Sequence, residues 1–369
     1  MSKTENPAFL QEQIITYIGN KRSLLPYIDA EVEQIRRKLG GKKLVCADLF
    51  AGSGVVSRLL KQHAAVLTVN DLETYSRILA ECYLCNRENY PAEQVEEALT
   101  RLEAALQTPV EGVVAENYAP KNDAAIQPGE RVFYTRDNAL RIDTYRAAIQ
   151  QEDPALYPFL LGPLLYAASV HTNTGGVFKG FYKDSKTGIG KFGGNGENAL
   201  TRILGTIALR PPVLSEFACE TVICQEDVNT LAAKLPMQDL VYLDPPYNQH
   251  PYGSNYFMLN VIAENRLPGA LSRVSGIPEG WNRSDYNKRA KALRAMEVLV
   301  RDLPARYLLI SYNSEGFITL EEMQTLLEKY GKVKRREIVY PTYRASRNLR
   351  QRSIKVSEYL FVVEKEAQA

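Results

Sequence analysis

The 369-residue sequence predicts an α/β fold: a doubly wound, mostly parallel sheet interrupted by a long insertion. Two observations carry this. The runs "KKLVCADLFAGSG" (42–54) and "AAVLTVNDLE" (64–73) read as strands, and "VVSRLLKQH" between them has apolar residues at helical spacing, so together they form a βαβ unit. Four further strand-like runs then resume the pattern far downstream: "ETVICQED" (220–227), "DLVYLDPPY" (239–247), "RYLLISYN" (306–313) and "SEYLFVVE" (357–364), with helical patterns at 286–303 and 319–330. Residues 1–84 and 216–369 are thus expected to form one sheet-bearing domain, with 85–215 an inserted helical and loop-rich region.

The opening "MSKTENPAFLQEQ" is polar and lacks the apolar core of a secretory signal, which predicts a cytoplasmic protein. Hydrophobic content of 45% and charged content of 24% are those of a globular chain, and no run approaches the roughly 18 apolar residues of a membrane span. Five cysteines, an odd number unevenly spread, argue against a disulfide framework. "CYLC" (82–85) has no second pair at zinc-ligand spacing, so no metal is expected.

The first strand ends at Asp48 and enters a turn with Gly52 and Gly54, where a ligand is expected to approach the backbone closely. The third glycine of a dinucleotide fingerprint is missing, position 57 being Ser57, and the Gly-Lys-Ser/Thr ending of a phosphate loop is absent too. The ligand should therefore be a nucleoside without pyrophosphate. Asp71, at the end of the next strand, is placed to accept hydrogen bonds from both ribose hydroxyls. S-adenosylmethionine meets both requirements.

A helical pattern covers Thr74 to about Gln107, then 108–130 is rich in loops, and "ALYPFLLGPLLYAASVHTNTGG" is helical again. The glycine-rich, basic 175–200 stretch is expected to be a surface loop that packs no core. The net charge of +2 hides two basic runs, 332–355 and 281–294. Tyr340, Tyr343 and Tyr286 interleave with those charges, and an aromatic face can stack on a base, so both runs are expected to meet nucleic acid. His63, His171 and His250 are scattered and read as packing or surface residues.

"DPPY" (244–247) closes the strand at 239–247. An exocyclic amine of adenine is a poor nucleophile because its lone pair is delocalised into the ring, and a catalyst must accept its N–H hydrogens. Asp244 and the Pro245 carbonyl can accept them together. Pro245 and Pro246 fix the backbone so that both acceptors are preset. Tyr247 offers a face for a base swung out of the duplex. No side-chain nucleophile is needed, because a methyl sulfonium held in contact with the amine transfers directly.

These motifs resemble the Dam-like adenine-specific DNA methyltransferases, a group of solitary enzymes and modification partners of restriction endonucleases. "TYIGNKRSLLPYI" (16–28) resembles the family's N-terminal motif at Tyr17, Gly19 and Lys21, which implies that these hold the methionine end of the cofactor. "ADLFAGSGVVS" resembles its cofactor loop, adding Phe50 to the lining, and "DPPY" its catalytic motif. "TVICQED" sits where the family has an acid near the cofactor adenine, which implies Asp227, with Glu226 the alternative. "HTNTGGVFKG" matches the family at Asn173, Gly176 and Phe178, with His171 where arginine is usual.

The resemblance implies the methyltransferase fold with seven strands, the last antiparallel, and a target-recognition region within 85–215. It further implies S-adenosylmethionine as cofactor, double-stranded DNA as substrate, a cognate restriction endonuclease as companion, and a monomer. The alternatives are an RNA amino-group methyltransferase, separable by labelled methyl transfer to RNA, and a catalytically silent DNA-binding protein, separable by cofactor binding.

Overall fold

In the computed structural model, which describes residues 4–194, 199–341 and 355–366, the strands are β1 (Leu44–Asp48), β2 (Ala64–Asn70), β3 (Glu220–Cys224), β4 (Gln238–Leu243), β5 (Ala305–Asn313), β6 (Gly331–Pro341) and β7 (Lys355–Lys365). They form one seven-stranded sheet in the order β3-β2-β1-β4-β5-β7-β6. The pairs from β3 to β5 are parallel, while β7 runs antiparallel to both β5 and β6. Six of the strands follow the apolar runs. β6 does not: it falls in the basic run at 332–355, where Lys332, Lys334 and Arg336 alternate along a sheet edge, and charge on an edge strand discourages pairing with another chain.

The helices of seven residues or more are α1 (Leu25–Lys38), α2 (Val55–Lys61), α3 (Thr74–Tyr83), α4 (Ala92–Ala105), α5 (Arg136–Ile149), α6 (Tyr157–Val170), α7 (Phe257–Glu264), α8 (Arg289–Asp302) and α9 (Leu320–Glu328). Successive strand residues point to opposite faces, and both faces are covered. Cys46, Leu240 and Leu309 pack under α1 and α2 through Val32, Ile35, Leu59 and Leu60. Ala47, Val241, Leu308 and Phe361 pack under α8 and α9 through Met296, Leu299, Met323 and Leu327. Among the described residues no helix is long and apolar enough to cross a membrane.

The described part of 85–215 is helical and loop-rich, and its helices share a third core with α3 and α7. In that core Cys82 faces Gly162 so closely that a β-carbon there would lie 2.7 Å from its sulfur, which makes this thiol a packing group. The 175–200 segment departs from expectation. Its described part plants Phe178 in the core beside Phe133 and Phe257, because an aromatic ring among glycines still has apolar area to bury. Asn173 anchors the same turn by donating to the carbonyls of Val132 (2.7 Å) and Lys191 (2.8 Å).

Candidate active site

The strand order reverses between β1 and β4, and a crevice opens at the carboxyl ends of such neighbours. Asp48 is the last residue of β1, and Asp244 directly follows β4. Both face a cavity of about 850 Å³, measured with the open solvent at its mouth. Tyr17, Gly19, Lys21, Phe50, Gly52, Asp71, Asp227 and Pro246 also line it, so residues read from five separate segments converge on one space. Gly54, Pro245 and Tyr247 are not among the lining residues, though they adjoin them in the chain; the Tyr247 hydroxyl is packed close to Gly19, 3.5 Å from where a β-carbon on that glycine would stand.

Lys21 is buried, with 5% of its side chain exposed, and its ammonium meets three acceptors. It lies 3.0 Å from Asp244 Oδ1 and 2.9 Å from Glu358 Oε1, and it donates to the Gly19 carbonyl at 3.1 Å. Burial alone would lower its pKa, but the two carboxylates hold it well above the ordinary value. Burial raises the Asp244 carboxyl, against the pull of Lys21. Glu358 stays below its ordinary value despite burial, because Lys21, Ser311 and Asn313 all favour the charged form.

Asp48 is 1% exposed; its Oδ2 accepts from the Ser57 hydroxyl at 2.6 Å, while Oδ1 is buried without a hydrogen-bond partner. Burial pushes its carboxyl up to about 7. Asp71 accepts the Gly52 amide at 2.8 Å and the Glu73 amide at 3.0 Å, which fixes its side chain against the glycine turn. Asp227 caps the short helix Val228–Ala232 through Thr230, whereas Glu226, also at the cavity, pairs with Lys234 at 2.5 Å.

Gly52 lines the cavity and is also approached by the Tyr17 ring, with a β-carbon at Gly52 lying 2.9 Å from its Cε1. Gly54 has open space around it and is needed for its φ of 76° at the start of α2. Tyr17 is itself stacked on Tyr252 and Tyr256, at 5.0 and 4.5 Å between ring centroids.

The basic runs are less available than expected. Tyr286 is 2% exposed, packs edge-on to Phe50 and donates to Asn229 Oδ1 at 3.0 Å, so it cannot stack on a base. Its position in a short 3₁₀ turn rotates the ring inward. Lys288 and Lys291 pair with Asp285, and Lys334 with Glu31. Tyr343 and the rest of the 342–354 stretch lie outside the described residues, as does the side chain of Tyr340. His63 is 2.7 Å from Asp29, His171 is 2.7 Å from the Arg202 carbonyl, and His250 is 3.1 Å from Lys179.

Residues 17–326 match a family described as D12 class N6 adenine-specific DNA methyltransferase. The chain belongs to that family. This methyltransferase is 29% identical over 361 residues to the type II methyltransferase M.NlaIII of Neisseria lactamica, covering 95% of this chain and 99% of that one. It is 30% identical over 355 residues to the type II methyltransferase M.CviAII of Paramecium bursaria Chlorella virus 1, covering 95% and 98%. The modification methylase StsI of Streptococcus sanguinis is 28% identical over 364 residues, 95% of this chain but 52% of that one.

The methyltransferase's cavity also holds residues that sequence reasoning missed. Glu73, raised to about 7 mainly by burial and then by Asp71, lines it and accepts from Asn260 at 2.6 Å. Its signal was present, as a second acid two residues beyond Asp71. Asn282, Ser284 and Asn287 enter the wall from the basic 281–294 run. Glu358 was legible only as an acid inside an apolar strand.

Proposed function

We propose that this adenine-specific DNA methyltransferase takes its methyl group from S-adenosylmethionine and methylates an adenine turned out of duplex DNA. We infer that it works as a cytoplasmic monomer, as the modification enzyme beside a cognate restriction endonuclease. The observation that carries the chemistry is that Asp244 shares one cavity with Asp48, Asp71 and Asp227. The type II naming of its relatives supports the restriction-modification role.

The cavity fits such a cofactor. Six carboxylates (Asp48, Asp71, Glu73, Glu226, Asp227, Asp244) face it against Lys21, which suits a ligand with cationic centres. The unpartnered Asp48 Oδ1 supplies a waiting acceptor. Tyr17 and Gly19 would hold the methionine end, with Gly54 shaping the turn and Lys21, whose three hydrogens go to Asp244, Glu358 and the Gly19 carbonyl, fixing the wall beside it. Each Asp71 oxygen retains acceptor capacity for a ribose hydroxyl beyond its amide, Asp227 would receive the adenine amine, and Phe50 would pack on the adenine ring. S-adenosylmethionine supplies a methyl group on a positively charged sulfur, which a neutral amine can attack directly.

Asp244 and the Pro245 carbonyl accept the two amine hydrogens and turn the nitrogen lone pair out of the ring plane. Pro246 braces the turn, and Tyr247 stacks on the displaced base. The methylated nitrogen must shed one proton. Asp244, held above the usual carboxylate range, is the base in place to take it. Residues 85–215 would read the target. The hairpin closed by the Lys183–Gly190 bridge carries Lys183 and Lys186, and Lys179, just before it in the chain, meets His250, three residues beyond "DPPY".

The test is transfer of tritiated methyl from S-adenosylmethionine to duplex oligonucleotides and to structured RNA, with modified adenine located by sequencing. Label in adenine of the duplex is expected; label confined to RNA would overturn the reading.

A further inference from the structure

Glu358 lies in the middle of the sheet on β7, 1% exposed, paired across to Asn313 of β5 and Ile338 of β6. A carboxylate so placed is retained only where its charge is compensated. Ser311 Oγ donates to Oε1 at 2.6 Å, Asn313 Nδ2 donates to Oε2 at 3.3 Å, and Lys21 Nζ is 2.9 Å from Oε1. The other contacts of Lys21 are Asp244 Oδ1 and the Gly19 carbonyl. An ammonium has three hydrogens, and here there are three acceptors, so its direction is fixed.

We propose that Glu358 is a positioning residue for methyl transfer: by sharing the charge of Lys21 it lets that lysine orient Asp244 without neutralising it. Among the described residues, two carboxylates meet one ammonium here, an excess of one negative charge. With Lys21 pinning Oδ1, the remaining acceptor capacity of Asp244 is directed to the cavity. Without Glu358 the same lysine would form a neutral pair with Asp244, and a neutralised carboxylate is a weaker acceptor for the amine hydrogens. The inference rests on the reading that Asp244 accepts those hydrogens.

Among the described residues, the groups around Asp244 can be named. Asp244 is met by Lys21, by Glu358 and, across the cavity, by Asp48, with the phenols of Tyr242, Tyr247 and Tyr252 around it. Lys21 lowers the Asp244 carboxyl and Glu358 raises it. Removing either charge therefore moves Asp244 in opposite directions, which loosened packing would not do.

The experiment is single-turnover methyl transfer to duplex DNA between pH 5 and 9 with the full-length E358Q, K21M and D244N variants, each first checked by thermal melting. For E358Q the expected result is a rate lower by about tenfold or more, with the acidic limb shifted to lower pH. For K21M the limb shifts to higher pH. If E358Q does not fold, K21M is compared with K21M/E358Q, which differ only in the Glu358 charge, and the double variant's limb must lie at the lower pH. An unmoved limb in E358Q, or identical limbs in K21M and K21M/E358Q, overturns the proposal whatever the rate. A D244N enzyme with normal transfer would instead overturn the role of Asp244 itself.

Discussion

The Tyr17 ring covers Gly52 so closely that a β-carbon on the glycine would stand 2.9 Å from its Cε1. The ring cannot withdraw easily, because it is stacked on Tyr252 and Tyr256 and its hydroxyl is 3.2 Å from that of Tyr75. Gly52 also has a φ of 53°, which costs an alanine about 1–2 kcal/mol. Gly52→Ala should therefore displace the aromatic wall and weaken S-adenosylmethionine binding by about tenfold or more, through a loss of about 1.4 kcal/mol or greater. Calorimetry on the folded variant checks this, and an affinity within twofold of wild type would refute it.

Asp244→Asn keeps the shape of the side chain while removing its charge. If Asp244 is the principal acceptor for the amine hydrogens, the rate of transfer should fall by about 10²–10³-fold, the cost of removing one preorganised electrostatic group. Cofactor affinity should change little, since the proposed arrangement assigns the adenine and ribose ends to Asp227 and Asp71. Rapid-quench transfer and cofactor titration on the same preparation separate the two effects. A comparable loss in both would mean that Asp244 serves the cofactor instead.

How far this was legible in the sequence follows from where each group's partners lie. β1, β2, β4 and β5 are buried on both faces and read as apolar runs. β6 is an edge with alternating cations, so its pattern is that of a charged surface. Asp48, Asp71 and Asp244 stand at strand ends, where the topology of an open sheet gathers ligand groups. Glu358 is different, because its meaning depends on Lys21, 337 positions away in the chain, and on Ser311 and Asn313 of a neighbouring strand. Tyr286 was misread for the same kind of reason: the charges beside it in sequence point outward while its own ring turns in to Phe50.

Asp48 predicts a pH dependence of stability. Its carboxyl is raised by burial from 3.8 to about 7, so between those values the folded chain holds a proton that the unfolded chain has lost. Unfolding then releases a proton, and this group's contribution to stability falls as pH rises from about 4 to about 7, by on the order of 4 kcal/mol in the limit. Asp48→Asn removes that loss while keeping an acceptor for Ser57. Urea unfolding at pH 5 and pH 8 should show the variant gaining on wild type at the higher pH. A difference between the two proteins that does not change with pH would contradict the burial argument.

Arg58 predicts a coupling between the amino-terminal segment and the cofactor wall. The residue is 2% exposed, and its guanidinium carbon lies 4.2 Å from the centre of the Tyr83 ring. It donates to the carbonyls of Phe9 (2.8 Å), Glu12 (3.0 Å) and Gln13 (2.9 Å). Those residues lead directly into Tyr17, Gly19 and Lys21. Lysine cannot reproduce the planar fork, so Arg58→Lys should lose at least one of the three bonds, at a cost of about 1–3 kcal/mol for buried carbonyls left unpaired. Hydrogen exchange should then quicken across residues 7–21 while β4 and β5 stay protected, and cofactor affinity should drop with it. If exchange rose equally throughout the sheet, Arg58 would be supporting the whole fold rather than holding this one strap against the site.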